Sequence, residues 1–230
     1  KHLGQIYKRL NGLEDKSYLE QNKIIRDETI SSMGEWQKHF TKSGTETLMV
    51  CINNPFSQSR WCRENDFIPK GNDLEFEIAL EQLRRFRPTH VFIFGISYYS
   101  ENNRLNKIIN ECSTLKKKIC WYGAPEGNLN EFKNYDLVIT PSSELNKDLQ
   151  SNGINSAVLN HAFEPRTLEL IKSNPRRNKL CFIGSLTLGN NWHEERFRYL
   201  ELLCKEIEVD IYADINKPSF LQNIKRHLIN

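Results

Sequence analysis

The alternation of short apolar runs with amphipathic stretches is the feature that most constrains how this chain of 230 residues can fold. Apolar runs predict β-strands at residues 47–52, 90–96, 118–122, 137–140, 157–159, 179–183 and 209–212. Apolar side chains at helical spacing predict helices over residues 18–41, 74–86, 105–115, 142–150, 194–206 and 218–229. Strands that are apolar on both faces and alternate with helices indicate an α/β fold with a doubly wound, Rossmann-like parallel sheet.

The chain divides where this alternation pauses. Residues 166–178 form a polar, basic connector that contains the break Asn174-Pro175, and the strand and helix pattern restarts after it. We therefore predict a Rossmann-like domain over residues 1–165, a linker over 166–178 and a second unit over 179–230. Because two strands and two helices cannot bury a two-sided sheet, the second unit is expected to be the incomplete beginning of another Rossmann-like domain that continues beyond Asn230.

Composition excludes some classes of protein. The formal net charge of +3 is too small to indicate nucleic acid as a partner, and no apolar run approaches the roughly 20 residues that a membrane-spanning helix needs. The six cysteines form no C-x-x-C pair, so we expect buried free thiols, a cytoplasmic location and no bound metal. The basic cluster Arg84, Arg85 and Arg87 is either a solvated helix end or a peripheral contact with the inner face of a membrane.

Ligands of doubly wound sheets bind beyond the carboxyl ends of the strands, so the residues that follow each predicted strand are the first candidates for a site. The chain has no G-x-x-x-x-G-K-S/T, G-x-S-x-G, H-E-x-x-H or G-x-G-x-x-G motif. NTPase, serine hydrolase, zinc protease and nicotinamide-enzyme interpretations therefore lose support.

Several segments of the chain follow one another in a particular order. In the first domain they are YKRLNGLEDKSYLEQ, VFIFGISYYS, ICWYGAP, YDLVITPSSEL and LNHAFEP, and in the second FIGS, His193-x-x-Arg196 and VDIYAD. Asn54, Gln58 and Trp61 follow the first predicted strand. In this order and spacing the chain resembles, over nearly its whole length, the group 1 glycosyltransferases of the spore-maturation-protein-like type.

The resemblance implies a GT-B-like fold of two facing Rossmann-like domains, the first receiving the acceptor and the second holding a nucleotide-sugar donor. It also implies that Asn54, Gln58 and Trp61 contact the acceptor, because those proteins place an Asn, a Gln and a Trp there. A Trp at helical spacing is equally typical of a core.

Residues after the later strands complete the expected acceptor side. Tyr98 and Tyr99 either stack on a sugar ring or pack as part of a lid. Gly123 is expected to shape the floor of the cleft. His161 and Glu164, in the expected interdomain hinge, are the candidate catalytic residues, since a histidine there can bind a sugar hydroxyl and transfer a proton. The alternative is that this segment only caps the hinge, with Phe163 as a packing anchor.

The second unit contains a candidate diphosphate site. Gly184 after a predicted strand lets the backbone approach a ligand, Ser185 offers a hydroxyl, and the following helix directs its N-terminal N–H groups at phosphate oxygens. Arg196 can clamp an oxyanion and His193 can add a donor. A strand followed by a Gly-Ser turn also occurs widely in α/β proteins, so a purely structural turn remains an alternative.

The expected function is transfer of a sugar from a nucleotide-sugar donor to a hydroxyl of a glycan or lipid-linked acceptor, in the synthesis of surface polysaccharide or glycoconjugate. The nucleotide sugar is a co-substrate, and no other cofactor is expected. The donor-binding acidic region expected late in the second domain is absent from these residues, so we expect no turnover by this chain alone. The alternatives are a non-catalytic Rossmann-like ligand-binding or interaction module and a hydrolase of sugar nucleotides.

Overall fold

The computed structural model describes residues 2–28, 32–94, 97–124, 128–171, 178–187 and 191–216. The chain divides into two compact units, Lys1–Leu170 and Ile171–Asn230, which we call unit 1 and unit 2. The division falls inside the linker predicted over residues 166–178.

Helices fill unit 1 before its first strand. They are α1 (His2–Arg9), α2 (Tyr18–Glu28), α3 (Ser32–Lys42), α4 (Pro55–Glu64) and α5 (Leu74–Phe86). The helix predicted over residues 18–41 is therefore divided between α2 and α3, whereas the helix predicted over 74–86 is confirmed at both ends. Helix α5 ends there because Arg87 takes a left-handed conformation with φ of 56° and Pro88 follows it.

The sheet of unit 1 is parallel and four-stranded. Its strands lie in the order β1 (His90–Phe94), β2 (Lys117–Trp121), β3 (Leu137–Thr140) and β4 (Ser156–Val158). The connections contain α6 (Ser97–Ser100), α7 (Arg104–Glu111), a 3₁₀ helix (Leu129–Asn134) and α8 (Ser143–Ser151), and α9 (Arg166–Ile171) follows β4. The predicted α/β fold with a parallel sheet is confirmed.

One face of this sheet carries the main core. Ile93, Cys120 and Val138 are register partners on neighbouring strands, so their side chains share a face, and all three are buried. Helices α7 and α8 and the 3₁₀ helix pack on this face and contribute the buried side chains Leu105, Leu145, Leu149 and Phe132. The core therefore lies between the sheet and the crossover helices that follow β1, β2 and β3.

The opposite face is buried less completely than the sequence predicted. Phe92 and Ile119 on this face are half-buried, and Phe94 at the end of β1 is exposed. Trp36 of α3 packs against Phe92 with a ring-centroid distance of 4.5 Å. The apolar strands predict a sheet that is covered on both faces. In the structure one face of the sheet is fully covered, and the other face is only partly covered.

The strand predicted over residues 47–52 is wrong. This segment lies before β1 in the chain and belongs to no sheet among the described residues. Residues 47–50 are half-buried, and within the described part of the chain the backbone N–H groups of Leu48 and Met49 form no hydrogen bond. An apolar run is a signal of burial rather than of strand pairing, which explains the error.

Unit 2 consists, in its described part, of β5 (Leu180–Thr187), α10 (Asn191–Glu206) and β6 (Val209–Asn216), with β5 and β6 paired in parallel. Both strands are longer than predicted. The turn predicted at Gly184-Ser185 is wrong, because β5 continues through these residues, which pair with Ala213 and Asp214 of β6. The helix predicted over residues 218–229 lies outside the described residues.

Helix α10 has an apolar stripe at helical spacing, formed by Phe197, Leu200, Leu203 and Cys204, which predicts four buried side chains, and of these Leu200 is buried. Phe197, Leu203 and Cys204 are exposed. The physical reason is geometric: two strands offer too little surface to cover more than a narrow stripe of a helix of 16 residues.

The six cysteines are free, as expected, but not all of them are buried. Cys112 and Cys120 are buried, Cys51 and Cys62 are half-buried, and Cys181 and Cys204 of unit 2 are exposed. Within the described ranges, no helix combines the length and the apolar character needed to cross a membrane.

Candidate functional site

A small cavity lies at the carboxyl edge of the unit 1 sheet, and we call it the edge cavity. Its volume is about 120 Å³, and it is lined by Trp36, Phe94, Trp121, Leu159, Asn160, His161 and Ala162. Trp36 comes from α3, Phe94 and Trp121 are the last residues of β1 and β2, and residues 159–162 follow β4. The cavity therefore lies where ligands of parallel α/β sheets bind.

The walls of the edge cavity are mainly aromatic. Phe94 and Trp121 are register partners, so their side chains point to the same face of the sheet, and their rings stack at 4.5 Å with 3° between their planes. The His161 ring lies 5.4 Å from the Trp121 ring. The side chains of His161 and Asn160 add hydrogen-bonding groups to walls that are otherwise apolar.

Gly123 acts on this cavity indirectly. A Cβ atom at this position would lie 2.9 Å from Cη2 of Trp121 and 3.1 Å from Cγ of Pro141. The absence of a side chain therefore leaves room for the indole of Trp121 beside Pro141. Gly123 was predicted to shape the floor of a cleft, and the structure places it behind the Trp121 wall rather than among the lining residues.

Glu164 does not line the edge cavity and forms an ion pair with Arg166. Its carboxylate accepts hydrogen bonds from the backbone N–H of Arg166 at 3.0 Å and from Nε of Arg166 at 2.9 Å. The Arg166 side chain holds the pKa of Glu164 below its usual value. Arg166 also pairs with Glu35 of α3, at 3.3 Å. A paired carboxylate with a lowered pKa is a weak proton acceptor, so this pairing gives no support to the catalytic role predicted for Glu164, which stays a prediction.

Asn54, Gln58 and Trp61, which were predicted to contact the acceptor, are held inside unit 1 by contacts with other residues of the protein. All three are buried. Asn54 caps α4, with its side-chain oxygen accepting from the backbone N–H of Ser57. Trp61 packs with Tyr18 and Ile78 in a small apolar cluster. None of the three lines the edge cavity.

The buried amides belong to two hydrogen-bonded chains that join distant helices. In the first chain Nδ2 of Asn54 donates to the Tyr7 hydroxyl, which donates to Oε1 of Gln21. In the second chain the Tyr18 hydroxyl donates to Oε1 of Gln82, whose Nε2 donates to Oε1 of Gln58. Gln58 Nε2 then donates to the backbone carbonyl of Cys51 at 3.0 Å. Buried amides with partners on both ends fix one arrangement of the helices.

Tyr98 and Tyr99 are partly buried and pack against the core of unit 1, an arrangement that favours the packing alternative over stacking on a sugar ring. The Arg104 guanidinium lies 3.9 Å from the centre of the Tyr98 ring and pairs with Asp73 at 2.7 Å. The Tyr99 ring meets the edge of Tyr98 at 5.2 Å, and burial raises the pKa of Tyr99 to about 12. One face of the Tyr98 ring is therefore covered by Arg104, and Tyr99 lies against the edge of the pair.

The candidate donor residues of unit 2 are only partly brought together. Nη1 of Arg196 donates to the backbone carbonyl of Ser185 at 3.2 Å, which places the start of α10 over the end of β5. Gly184 lies inside β5, where a Cβ would be 3.1 Å from the Phe182 ring. The side chain of His193 lies outside the described residues.

Trp36, Phe94, Trp121 and Asn160 are the lining residues that sequence reasoning missed. Two of these residues could have been found from the sequence. Phe94 and Trp121 are large aromatic residues at the ends of consecutive strands, where ligands of parallel sheets bind. Trp36 lies on the apolar stripe of the helix predicted over residues 18–41, a pattern that indicates core packing rather than a ligand site. Among the residues that the structure describes, no group of His, Cys, Asp and Glu side chains has the arrangement of a metal site. Comparison with protein-family models and with curated proteins gives no match for this chain.

Proposed function

We propose that this chain is the acceptor-side part of a sugar-nucleotide-dependent glycosyltransferase of the GT-B type, and that the edge cavity binds one sugar unit of the acceptor. The observation that supports this most directly is the stacked pair Phe94 and Trp121 beside His161 at the carboxyl edge of a parallel sheet. The order of segments that resembles group 1 glycosyltransferases supports it independently.

Aromatic rings next to hydrogen-bonding side chains suit a carbohydrate. A pyranose ring presents C–H groups on its faces, which pack on an aromatic ring, and hydroxyls around its edge, which need hydrogen-bonding partners. The edge cavity offers both, with the Trp121 indole for a face and the Asn160 and His161 side chains for hydroxyls. Its volume of about 120 Å³ is well below the roughly 300–1,000 Å³ of a site for a drug-sized ligand, so we assign it one sugar rather than a whole nucleotide sugar.

In the proposed reaction, a hydroxyl of the bound acceptor attacks the anomeric carbon of the donor sugar. The new bond is between that carbon and the acceptor oxygen, the bond to the diphosphate oxygen breaks, and the nucleoside diphosphate leaves. His161 is proposed to take the hydroxyl proton, because it is the lining side chain that can accept one. We propose that the donor diphosphate is bound by unit 2, where Arg196 supplies positive charge.

Saturation-transfer NMR with mono- and disaccharides tests the acceptor assignment. We expect saturation at ring protons of at least one saccharide, a loss of binding in Trp121→Ala, and weaker binding in His161→Ala. Tyr199→Ala and His39→Ala are matched controls, because both residues are exposed and neither lines the edge cavity. Equal binding by the wild type and Trp121→Ala, or no saccharide binding by a folded chain, would refute the proposal.

Measuring the release of nucleoside diphosphate from a panel of nucleotide sugars distinguishes three functions: glycosyl transfer, non-catalytic binding and hydrolysis of the sugar nucleotide. Release that requires a saccharide acceptor, measured with a chain extended at its C-terminus, supports transfer. Saccharide binding without any release supports the non-catalytic binding module, and release without an acceptor supports the hydrolase.

A further inference from the structure

A second cavity of about 120 Å³ lies in unit 1, away from the edge cavity, between α2, α3 and the segment 47–49. We call it the helix cavity. Its lining is Leu19, Asn22, Lys23, Arg26, Gln37, Thr47, Leu48 and Met49. None of these residues was given a function by the sequence, and the proposed transfer reaction uses none of them.

Two cations line this cavity from one side. Lys23 and Arg26 are three residues apart on α2, so they lie on the same face of that helix. The Lys23 amine has no hydrogen-bonding or ionic partner among the residues that the structure describes. Among the described residues, no carboxylate lines the cavity. The cavity therefore has an excess of positive charge at its wall.

The Arg26 guanidinium is held in place by neutral groups. Gly34 of α3 faces the stem of Arg26 so closely that a Cβ at residue 34 would lie 2.5 Å from Cγ of Arg26. Nη1 of Arg26 donates to Oε1 of Gln37 at 3.3 Å, and Nε2 of Gln37 donates to the carbonyl of Thr47 at 3.5 Å. The acidic contact of Arg26 is a long one, 3.5 Å to Asp27, whose side chain is 56% exposed. The guanidinium charge is thus only partly compensated by Asp27, because an exposed pair at this distance interacts weakly.

Backbone donors add to the positive character of the cavity. Leu48 and Met49 line it and are half-buried, and their N–H groups form no hydrogen bond within the described residues. Because no group of the described residues accepts from these two N–H groups, they are available to donate to a ligand or to water. A lysine, an arginine and backbone N–H groups are the donor types that recur at oxyanion sites.

We propose that the helix cavity binds an oxyanion of the size of a phosphate group, held by Lys23, Arg26 and the backbone donors of residues 48 and 49. The cavity volume equals roughly four water molecules at ~30 Å³ each, which accommodates such a group. The apolar side chains of Leu19, Leu48 and Met49 at the same cavity leave room for a ligand that carries an apolar portion next to its charged group. The assignment of this site does not rest on the proposed glycosyl transfer.

Titration of the ¹⁵N-labelled chain with inorganic phosphate, at constant ionic strength, tests the site. We expect the backbone amide signals of Leu48 and Met49 and the Nε–H signal of Arg26 to shift together and to saturate with one dissociation constant. Arg26→Ala should raise this constant about tenfold and Lys23→Ala by a smaller factor, since a charge-assisted hydrogen bond is lost in each.

Arg63→Ala and Lys147→Ala are the matched controls, because both residues are exposed cations on helices of unit 1 outside the cavity. They should leave the dissociation constant unchanged. The proposal is overturned if the shifts do not saturate, if sodium chloride produces the same shifts, or if both cavity variants bind phosphate like the wild type. The dispersion of the amide signals in the NMR spectrum verifies that each variant is folded. If Arg26→Ala does not fold, the dissociation constant of Lys23→Ala tests the proposal.

Discussion

Tyr18, Gln82 and Gln58 form a buried series of hydrogen bonds. Replacing Tyr18 by phenylalanine removes the hydroxyl that begins this series and leaves the ring in place. The Tyr18 side chain is 3% exposed, and its hydroxyl donates to Oε1 of Gln82 at 2.7 Å. Gln82 is 2% exposed, so water does not reach its oxygen after the substitution. In Tyr18→Phe this acceptor is therefore left buried without a donor.

An unsatisfied buried acceptor costs about 1–3 kcal/mol, which is more than the net value of an ordinary hydrogen bond. We expect Tyr18→Phe to lower the free energy of unfolding by this amount and to raise the equilibrium constant of unfolding by about 5- to 150-fold. Urea unfolding followed by circular dichroism measures the change as a shift of the midpoint at constant slope.

Tyr135→Phe is the matched control. Tyr135 is also buried, at 6% exposure, but no described residue hydrogen-bonds its hydroxyl. Removing that hydroxyl relieves an unpaired polar group, so the free energy of unfolding should stay the same or rise. If Tyr18→Phe changed stability by less than about 0.5 kcal/mol, or if both variants were destabilised equally, the structural role of the buried amide chain would be refuted.

Further predictions concern pH, a helix end and the core. Burial raises the pKa of Tyr18 and of Tyr99 to about 12, from an ordinary 10.0, so their contribution to stability is complete below pH 10 and is lost as the pH rises through about 12. Burial also raises the pKa of Cys120 from an ordinary 9.0 to about 12, so urea midpoints measured from pH 8 upward should begin to fall near pH 9 and fall more steeply above pH 10. Arg87→Gly should raise the unfolding free energy by roughly 1 kcal/mol, because φ of 56° favours glycine, with Arg87→Ala as the neutral comparison. Leu149→Ala, in the fully buried core, should cost about 2–5 kcal/mol in the same urea assay.

The helices and strands that could be predicted from the sequence are those in which the apolar pattern and the residues at the two ends indicate the same structure. Helix α5 has an apolar stripe, an acidic first turn and Pro88 just beyond its end, and both of its ends were predicted correctly. Strand β3 is likewise confirmed over residues 137–140. The segment 47–52 has the same apolar character as a strand, yet strand pairing depends on a neighbour that local sequence does not reveal.

The site was harder to predict because its residues are defined by distant partners. Gln58 looks like a polar side chain available for a ligand until Gln82, 24 residues away, is seen to bond it inside the protein. Conversely, Trp36 looked like an ordinary core residue, and only the packing of α3 against β1 brings it to the edge cavity. His161 was predicted from its position after a strand, a rule that depends on sheet topology alone.

Helix α3 contributes consecutive residues to two cavities, since Trp36 lines the edge cavity and Gln37 lines the helix cavity. Any displacement of α3 by an occupant of one cavity therefore displaces a wall of the other. By thermodynamic linkage, the free energy that couples the two occupants is the same in both directions. An oxyanion that changed saccharide affinity by a given factor would have its own affinity changed by that factor, so titrating either ligand in the presence of the other measures how rigidly α3 joins them.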